Sequence, residues 1–65
     1  MTNLKRIRTA QKITQAALAE RSGVNLRVLQ DYEQGRKPIN GAAAGTVYKL
    51  ARALNVNMED IIEQG

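Results

Sequence analysis

Between Thr14 and Gly35 the chain carries two start-and-stop pairs in close succession, and they constrain the fold more than any other feature. Thr14 can accept a hydrogen bond from the free N–H groups of a helix's first turn, and Gly23 can take the left-handed conformation that ends one. Asn25 then opens a second helix and Gly35 closes it. The spacing predicts two short helices, Gln15 to Arg21 and about 26–34, joined by a turn of about four residues around Ser22-Gly23. Ala16, Ala17, Leu18 and Ala19 favour the first of them through high helix propensity.

The same punctuation divides the rest of the chain. Leu4, Ile7 and Ala10 recur at helical spacing in a first helix, Leu4 to Gln11, with Thr2 or Asn3 as its cap and a break near Lys12-Ile13. Pro38 has no N–H to donate and biases Lys37 away from helix, so Arg36-Lys37-Pro38-Ile39 is a loop. Asn40 is expected to cap a fourth helix, Gly41 to Leu54, with Val47, Leu50, Ala51 and Leu54 on one face. Gly45 should weaken its first turn by roughly 1 kcal/mol relative to Ala. Asn57 caps a last helix, Met58 to Glu63, where Glu59 and Asp60 lie near the positive end of the helix dipole. These are five helices and no strands, an all-α class, with residues 1–65 as a single domain free of linkers and repeats.

Composition narrows the function. A 65-residue domain buries only about 60% of the surface its unfolded chain exposes, so there is no material for a second core. The sequence has no Cys, no His and a single Ser. That removes disulfide staples, thiolate and imidazole metal sites and the usual general base, so neither an enzyme nor a cofactor is expected. No apolar run approaches the 18 or so residues of a membrane span, and the basic start, Met1 to Arg6, lacks the apolar stretch of a signal peptide. A cytoplasmic home is the expectation, since small secreted domains rely on disulfides. Residues 1–40 carry eight cations against three carboxylates, net +5, and residues 41–65 carry two against three, net −1. The asymmetry favours a polyanionic partner, nucleic acid before membrane.

The middle segment also satisfies the packing needs of a helix-turn-helix. Small Ala19 lets the two helix axes approach, while Leu18, Val24 and Leu29 fill the angle between them. At about 100° per residue, Leu26, Val28, Leu29 and Tyr32 share an apolar arc and Arg27, Gln30, Asp31 and Gln34 share the opposite one. Arg27 can make a bidentate contact to guanine, worth about 1–3 kcal/mol of discrimination. Asn25 and Gln30 either read adenine or serve locally, as a cap or a solvated side chain. Tyr32 belongs to the core, and with Tyr48 the only other aromatic, single-strand binding by stacking is not expected.

The combined pattern Thr14-Gln15, Leu18-Ala19, Ser22-Gly23-Val24, Leu29, Tyr32-Glu33 and Gly35 resembles the helix-turn-helix family of phage Cro and CI repressors and Xre-type regulators. It is followed by the Leu50-Ala51, Ala53-Leu54 and Val56 pattern of the fourth helix. The resemblance spans about residues 4–63. It implies a compact five-helix, lambda-repressor-like fold that binds double-stranded DNA, commonly as a homodimer on a palindromic operator, and a bacterial or phage origin. It further implies Gln15 at phosphate and at a base edge, and Asn25, Leu26, Arg27 and Asp31 facing bases. Gln34, Arg36 and Lys37 fall where phosphate contacts are usual, and Arg8 with Glu33 matches a buried ion pair between the first and third helices.

Leu26, Val28 and Asp31 stand where DNA-reading members more often carry polar or basic side chains. Leu26 can pack on a thymine methyl. Asp31 is equally suited to accept from cytosine N4 or to act as a gatekeeper repelled by phosphate. These three residues motivate a second reading, a protein-interaction module or antitoxin-like partner that keeps the fold with little DNA reading. Met58, Ile61 and Ile62 are core residues of the last helix, with one isoleucine available to a dimer contact. No sensor domain is expected after the fifth helix and no small-molecule ligand is indicated.

Overall fold

The computed structural model describes residues 1–63, and among them there are five α-helices, one 3-10 turn and no strand. The helices are α1 (Asn3–Ala10), α2 (Gln15–Ser22), α3 (Leu26–Glu33), α4 (Ala44–Leu54) and α5 (Met58–Ile61), with the 3-10 turn at Ile39–Gly41 between α3 and α4. Capping side chains start the first three. Thr2 Oγ1 accepts from Lys5 N–H (3.2 Å), Thr14 Oγ1 from Ala17 N–H (3.1 Å), and Asn25 Oδ1 from Arg27 and Val28 N–H (2.8 and 3.4 Å). Gly23 and Gly35, at φ +75° and +77°, take the left-handed conformation after α2 and α3 that a β-carbon would resist.

Two further left-handed residues are not glycines. Lys12 (φ +59°) turns the chain between α1 and α2, and Asn55 (φ +58°) ends α4 while Val56 N–H bonds back to the Ala51 carbonyl (3.0 Å). The turn at Lys12 is held from both sides: Ile13 N–H donates to the Arg8 carbonyl (3.3 Å) and Arg8 Nη1 donates to the Ile13 carbonyl (2.7 Å).

The sequence expectations for α4 and α5 need correction. Helix α4 starts at Ala44, three residues after Gly41, because 39–41 form the 3-10 turn and Ala42 and Ala43 are extended. Asn40 does not cap it. The Asn40 amide instead pairs with the backbone of Glu63, accepting from its N–H (2.8 Å) and donating to its carbonyl (2.6 Å). Helix α5 stops at Ile61, because Ile62 turns extended toward the start of α1. There the Ile62 carbonyl accepts from Asn3 Nδ2 (3.1 Å) and the Glu63 carboxylate accepts from Asn3 N–H (2.8 Å). A carboxylate at the first N–H of α1 also opposes the positive end of that helix's dipole.

Leu4, Leu18, Val24, Leu29, Ile39, Val47, Leu50, Ala51, Leu54 and Ile61 form the buried core, one or more from each helix, with Val24 and Ile39 supplied by the turns. Helix α2 packs on α3 and α4, and α5 closes the core against α1 and α4. Leu26, which shares the apolar arc of α3 by periodicity and faces bases by resemblance, is 39% exposed and lies outside the core.

Gly45 lies in the first turn of α4, where an added β-carbon meets nothing within 4 Å. Gly45→Ala should therefore stabilise the fold by about 0.5–1 kcal/mol through lower chain entropy in the unfolded state and better helix propensity. At roughly 4–8 °C per kcal/mol for a domain this small, thermal unfolding followed by circular dichroism would register the gain. An unchanged or lower midpoint would contradict it.

Candidate nucleic-acid interface

The site is built outward from one buried ion pair. Arg8 on α1 and Glu33 at the end of α3 meet in a two-pronged contact, Nε to Oε2 at 2.6 Å and Nη2 to Oε1 at 3.0 Å, and both are buried. Among the described residues no buried side-chain nitrogen or oxygen lacks a hydrogen-bond partner. Arg8 Nη1 reaches the Ile13 carbonyl, and Thr2 Oγ1 donates to the Glu33 carbonyl (3.2 Å). Glu33 Oε1 also accepts from Gln15 Nε2 (3.0 Å), and Gln15 Oε1 accepts from Gln30 Nε2 (3.4 Å). Gln15 and Gln30, both half-buried, are thus the outer links of a chain whose inner end is a buried charge.

Helix α3 divides cleanly around its axis. Leu29 and Glu33 are buried, and Val28 and Tyr32 pack against the core. At about 100° per residue, Leu26, Arg27, Gln30, Asp31 and Gln34 fall within an arc of about 140° on the other side. Leu26, Arg27 and Gln34 are exposed there, Gln30 and Asp31 half-buried. Asn25, also exposed, uses its amide oxygen for the cap.

Electrostatically the arc has a centre that periodicity does not reveal. Asp31 faces Arg36 (Nε to Oδ1, 2.9 Å), Arg27 one turn back (Nε to Oδ1, 3.7 Å) and Lys37 (Nζ to Oδ2, 4.0 Å). The sequence-predicted residues therefore gather in two groups that share α3: Gln15 with Gln30, and Arg27, Arg36 and Lys37 around Asp31. Asn25, Leu26 and Gln34 flank them without a side-chain partner from either group. The hydrogen bond from Gln15 to Glu33 and the convergence on Asp31 escaped sequence reasoning. The first crosses the angle between two helices. The second depends on a loop whose course no local spacing dictates.

A separate open groove of about 570 Å³ lies between α4 and α5, lined mainly by Tyr48, Ala51, Arg52, Val56, Met58 and Ile62. Tyr48 is half exposed, with the Arg52 guanidinium 5.8 Å from its ring centre. None of the sequence-predicted DNA-facing residues lines this groove, whereas Ile62, one of the two isoleucines offered for a dimer contact, does. No group of three or more acidic, His or Cys side chains suited to a metal ion exists among the described residues.

Truncating one member of a buried pair leaves the other charged and unsolvated, so Arg8→Ala and Glu33→Ala should each cost about 3–5 kcal/mol. That is most of the stability a core this small supplies. The joint replacement Arg8→Met with Glu33→Leu removes both charges and should unfold at a higher temperature than either truncation, although Gln15 loses its anchor. Thermal melts of the three variants decide this. A double variant less stable than both singles would show that the pair is not compensating two buried charges.

With this geometry in place, the relation to known proteins is narrow and clear. A family model described as helix-turn-helix matches residues 4–61, from the first buried leucine of α1 to the last residue of α5. No curated protein and no solved structure matches the chain. The match covers all five helices and both halves of the two-helix unit. The chain belongs to the helix-turn-helix family of Cro, CI and Xre-type DNA-binding regulators.

Proposed function

We propose that this chain binds double-stranded DNA in a sequence-specific manner as a small cytoplasmic transcriptional repressor, with α3 in the major groove. The observation that carries the reading is the uncovered arc of α3, where Leu26, Arg27, Gln30, Asp31 and Gln34 stand opposite the residues that anchor the helix in the core. A helix displayed in this way, with its partner helix crossing behind it, fits a groove about 12 Å wide. Arg27, exposed over 78% of its side chain, is the reader of guanine, and Leu26 packs on a thymine methyl. Gln15 contacts phosphate from the start of α2 and steadies Gln30 at a base edge. Asn25 offers its free amide group, while Gln34, Arg36 and Lys37 meet the backbone.

We assign a homodimer on a palindromic operator to the same reading. One module of this type covers only about 600–1,000 Å² of DNA contact surface, and a second doubles it. The groove between α4 and α5 suits a second copy, because apolar Val56, Met58 and Ile62 lie there beside Arg52 and Glu59, opposite charges that a two-fold axis can pair.

One observation favours the alternative, a protein-interaction module or antitoxin-like partner: exposed Leu26 sits on an arc whose cations already face Asp31. The two readings part on a single experiment. The chain is titrated against the duplex immediately upstream of its own coding region and against a shuffled duplex, between 50 and 200 mM salt. The repressor reading expects selective binding, a log–log salt slope of several units and protection of two half-sites about one helical turn apart. Arg27→Ala should cost roughly 1–3 kcal/mol on the preferred duplex and little on the shuffled one. Gln15→Ala should weaken binding to both. Equal, weak binding to both duplexes, with no sequence enriched from a random pool, would overturn the DNA reading in favour of a protein partner.

A further inference from the structure

The polar arc of α3 is less cationic than its sequence makes it. Arg27, Arg36 and Lys37 all face one carboxylate, and the backbone repeats the arrangement: the N–H groups of Arg36 and Lys37 both donate to the Asp31 carbonyl (2.9 and 3.3 Å). Loop course and side-chain pairing therefore hold the same two cations beside Asp31. The exposures differ sharply. The Asp31 side chain is 13% exposed, whereas Arg27, Arg36 and Lys37 are exposed over 78%, 53% and 59% of theirs. The carboxylate stands behind its cations, and its contact with Arg36 is at hydrogen-bond distance, Nε donating to Oδ1 (2.9 Å). It is the one acidic group on this arc. Glu33, two residues on, is buried and faces Arg8 and Gln15.

We propose that Asp31 is a specificity-determining residue, an internal counter-ion that disfavours duplex DNA of arbitrary sequence more than a preferred site. The inference rests on the DNA-binding reading above. Sequence-independent affinity comes from cations neutralising phosphates, whereas sequence is read on base edges. A phosphate is an anion and meets the repulsion of Asp31 anywhere within a Debye length, about 8–10 Å at moderate salt. A base edge is neutral and does not. A cation that leaves Asp31 for a phosphate also strands a mostly covered carboxylate among anions. Arg27 has no such conflict at a guanine: it lies 3.7 Å from Asp31, beyond a direct hydrogen bond, and its side chain is 78% exposed. One carboxylate in this position penalises backbone contacts and spares base contacts. Asp31 is thus a positioning residue for three cations and does not itself read a base.

The test compares the native chain with Asp31→Asn and Asp31→Glu on a random-sequence duplex across salt, and on the sequence that the native chain enriches from a random pool. Circular dichroism verifies that all three are folded. Asn keeps the shape and loses the charge. Adding about one phosphate neutralisation should steepen the log–log salt slope by about one unit and tighten random-duplex binding roughly tenfold at 0.1 M salt. The preferred duplex should gain less, so the ratio between the two falls, and Asp31→Glu should stay near the native slope. A random-duplex affinity and slope unchanged or reduced in Asp31→Asn would overturn the proposal while leaving DNA binding intact. So would a native chain that binds duplex but enriches no sequence. If neither the native chain nor Asp31→Asn binds any duplex, the DNA reading itself fails and this inference falls with it. Binding by Asp31→Asn alone would overturn the proposal as well, since a native chain that binds no duplex has no preferred site for Asp31 to favour.

Discussion

The rest of this structure depends on the buried contact between Arg8 and Glu33. It joins the first helix to the end of the third, and it does so with a charge on each side, so neither partner tolerates a shift that would leave the other unpaired. A well-packed apolar pair of similar volume would serve stability as well. What the ions add is direction. Arg8 has a donor left over for the Ile13 carbonyl, which pins the turn where Lys12 adopts a left-handed backbone. Glu33 has acceptor capacity left over for Gln15, which fixes how α2 meets α3. An apolar pair offers neither, and in a core with no aromatic residue among its fully buried side chains few other contacts are directional.

From that anchor the outward-facing chemistry follows in order of distance. Gln15 and Gln30 are oriented by the buried carboxylate, so their amide groups arrive at the surface with little freedom to lose on binding. Further out, α3 presents an arc that the packing leaves bare, and the loop after Gly35 folds back along it. That return brings Arg36 and Lys37 beside Asp31, which converts three separate cations into a cluster of net charge +2. The surface thus combines polar groups held from the core with a cation cluster at the rim. In the proposed DNA reading, that cluster sets how much of the affinity is independent of sequence.

Most of the helical frame was legible in the residues themselves, because its signals are local. Thr14 and Asn25 cap, Gly23 and Gly35 stop, and Leu18, Val24 and Leu29 pack at the angle, each within a few residues of the backbone it controls. The errors fall where distant segments compete for a residue. Asn40 had the right chemistry to cap α4, but its amide is occupied by the backbone of Glu63, 23 positions away, and α4 begins later on an alanine. Glu63 in turn leaves α5 to meet the first N–H of α1. At the site, helical periodicity identified the bare arc of α3 but not its internal pairing, since the contacts of Gln15 with Glu33 and of Asp31 with the loop cations are tertiary.

The central claim is that the surface around α3 is the one that meets DNA. It is tested most directly by assigning the backbone amides of the chain by NMR and following them during titration with a preferred duplex. The account predicts that the largest shifts cluster at Gln15, at 25–27, 30, 31 and 34, and at Arg36 and Lys37, with core amides such as Leu50 and Leu54 nearly still. Shifts concentrated on the α4–α5 groove, around Tyr48, Met58 and Ile62, with the α3 arc unmoved, would contradict it.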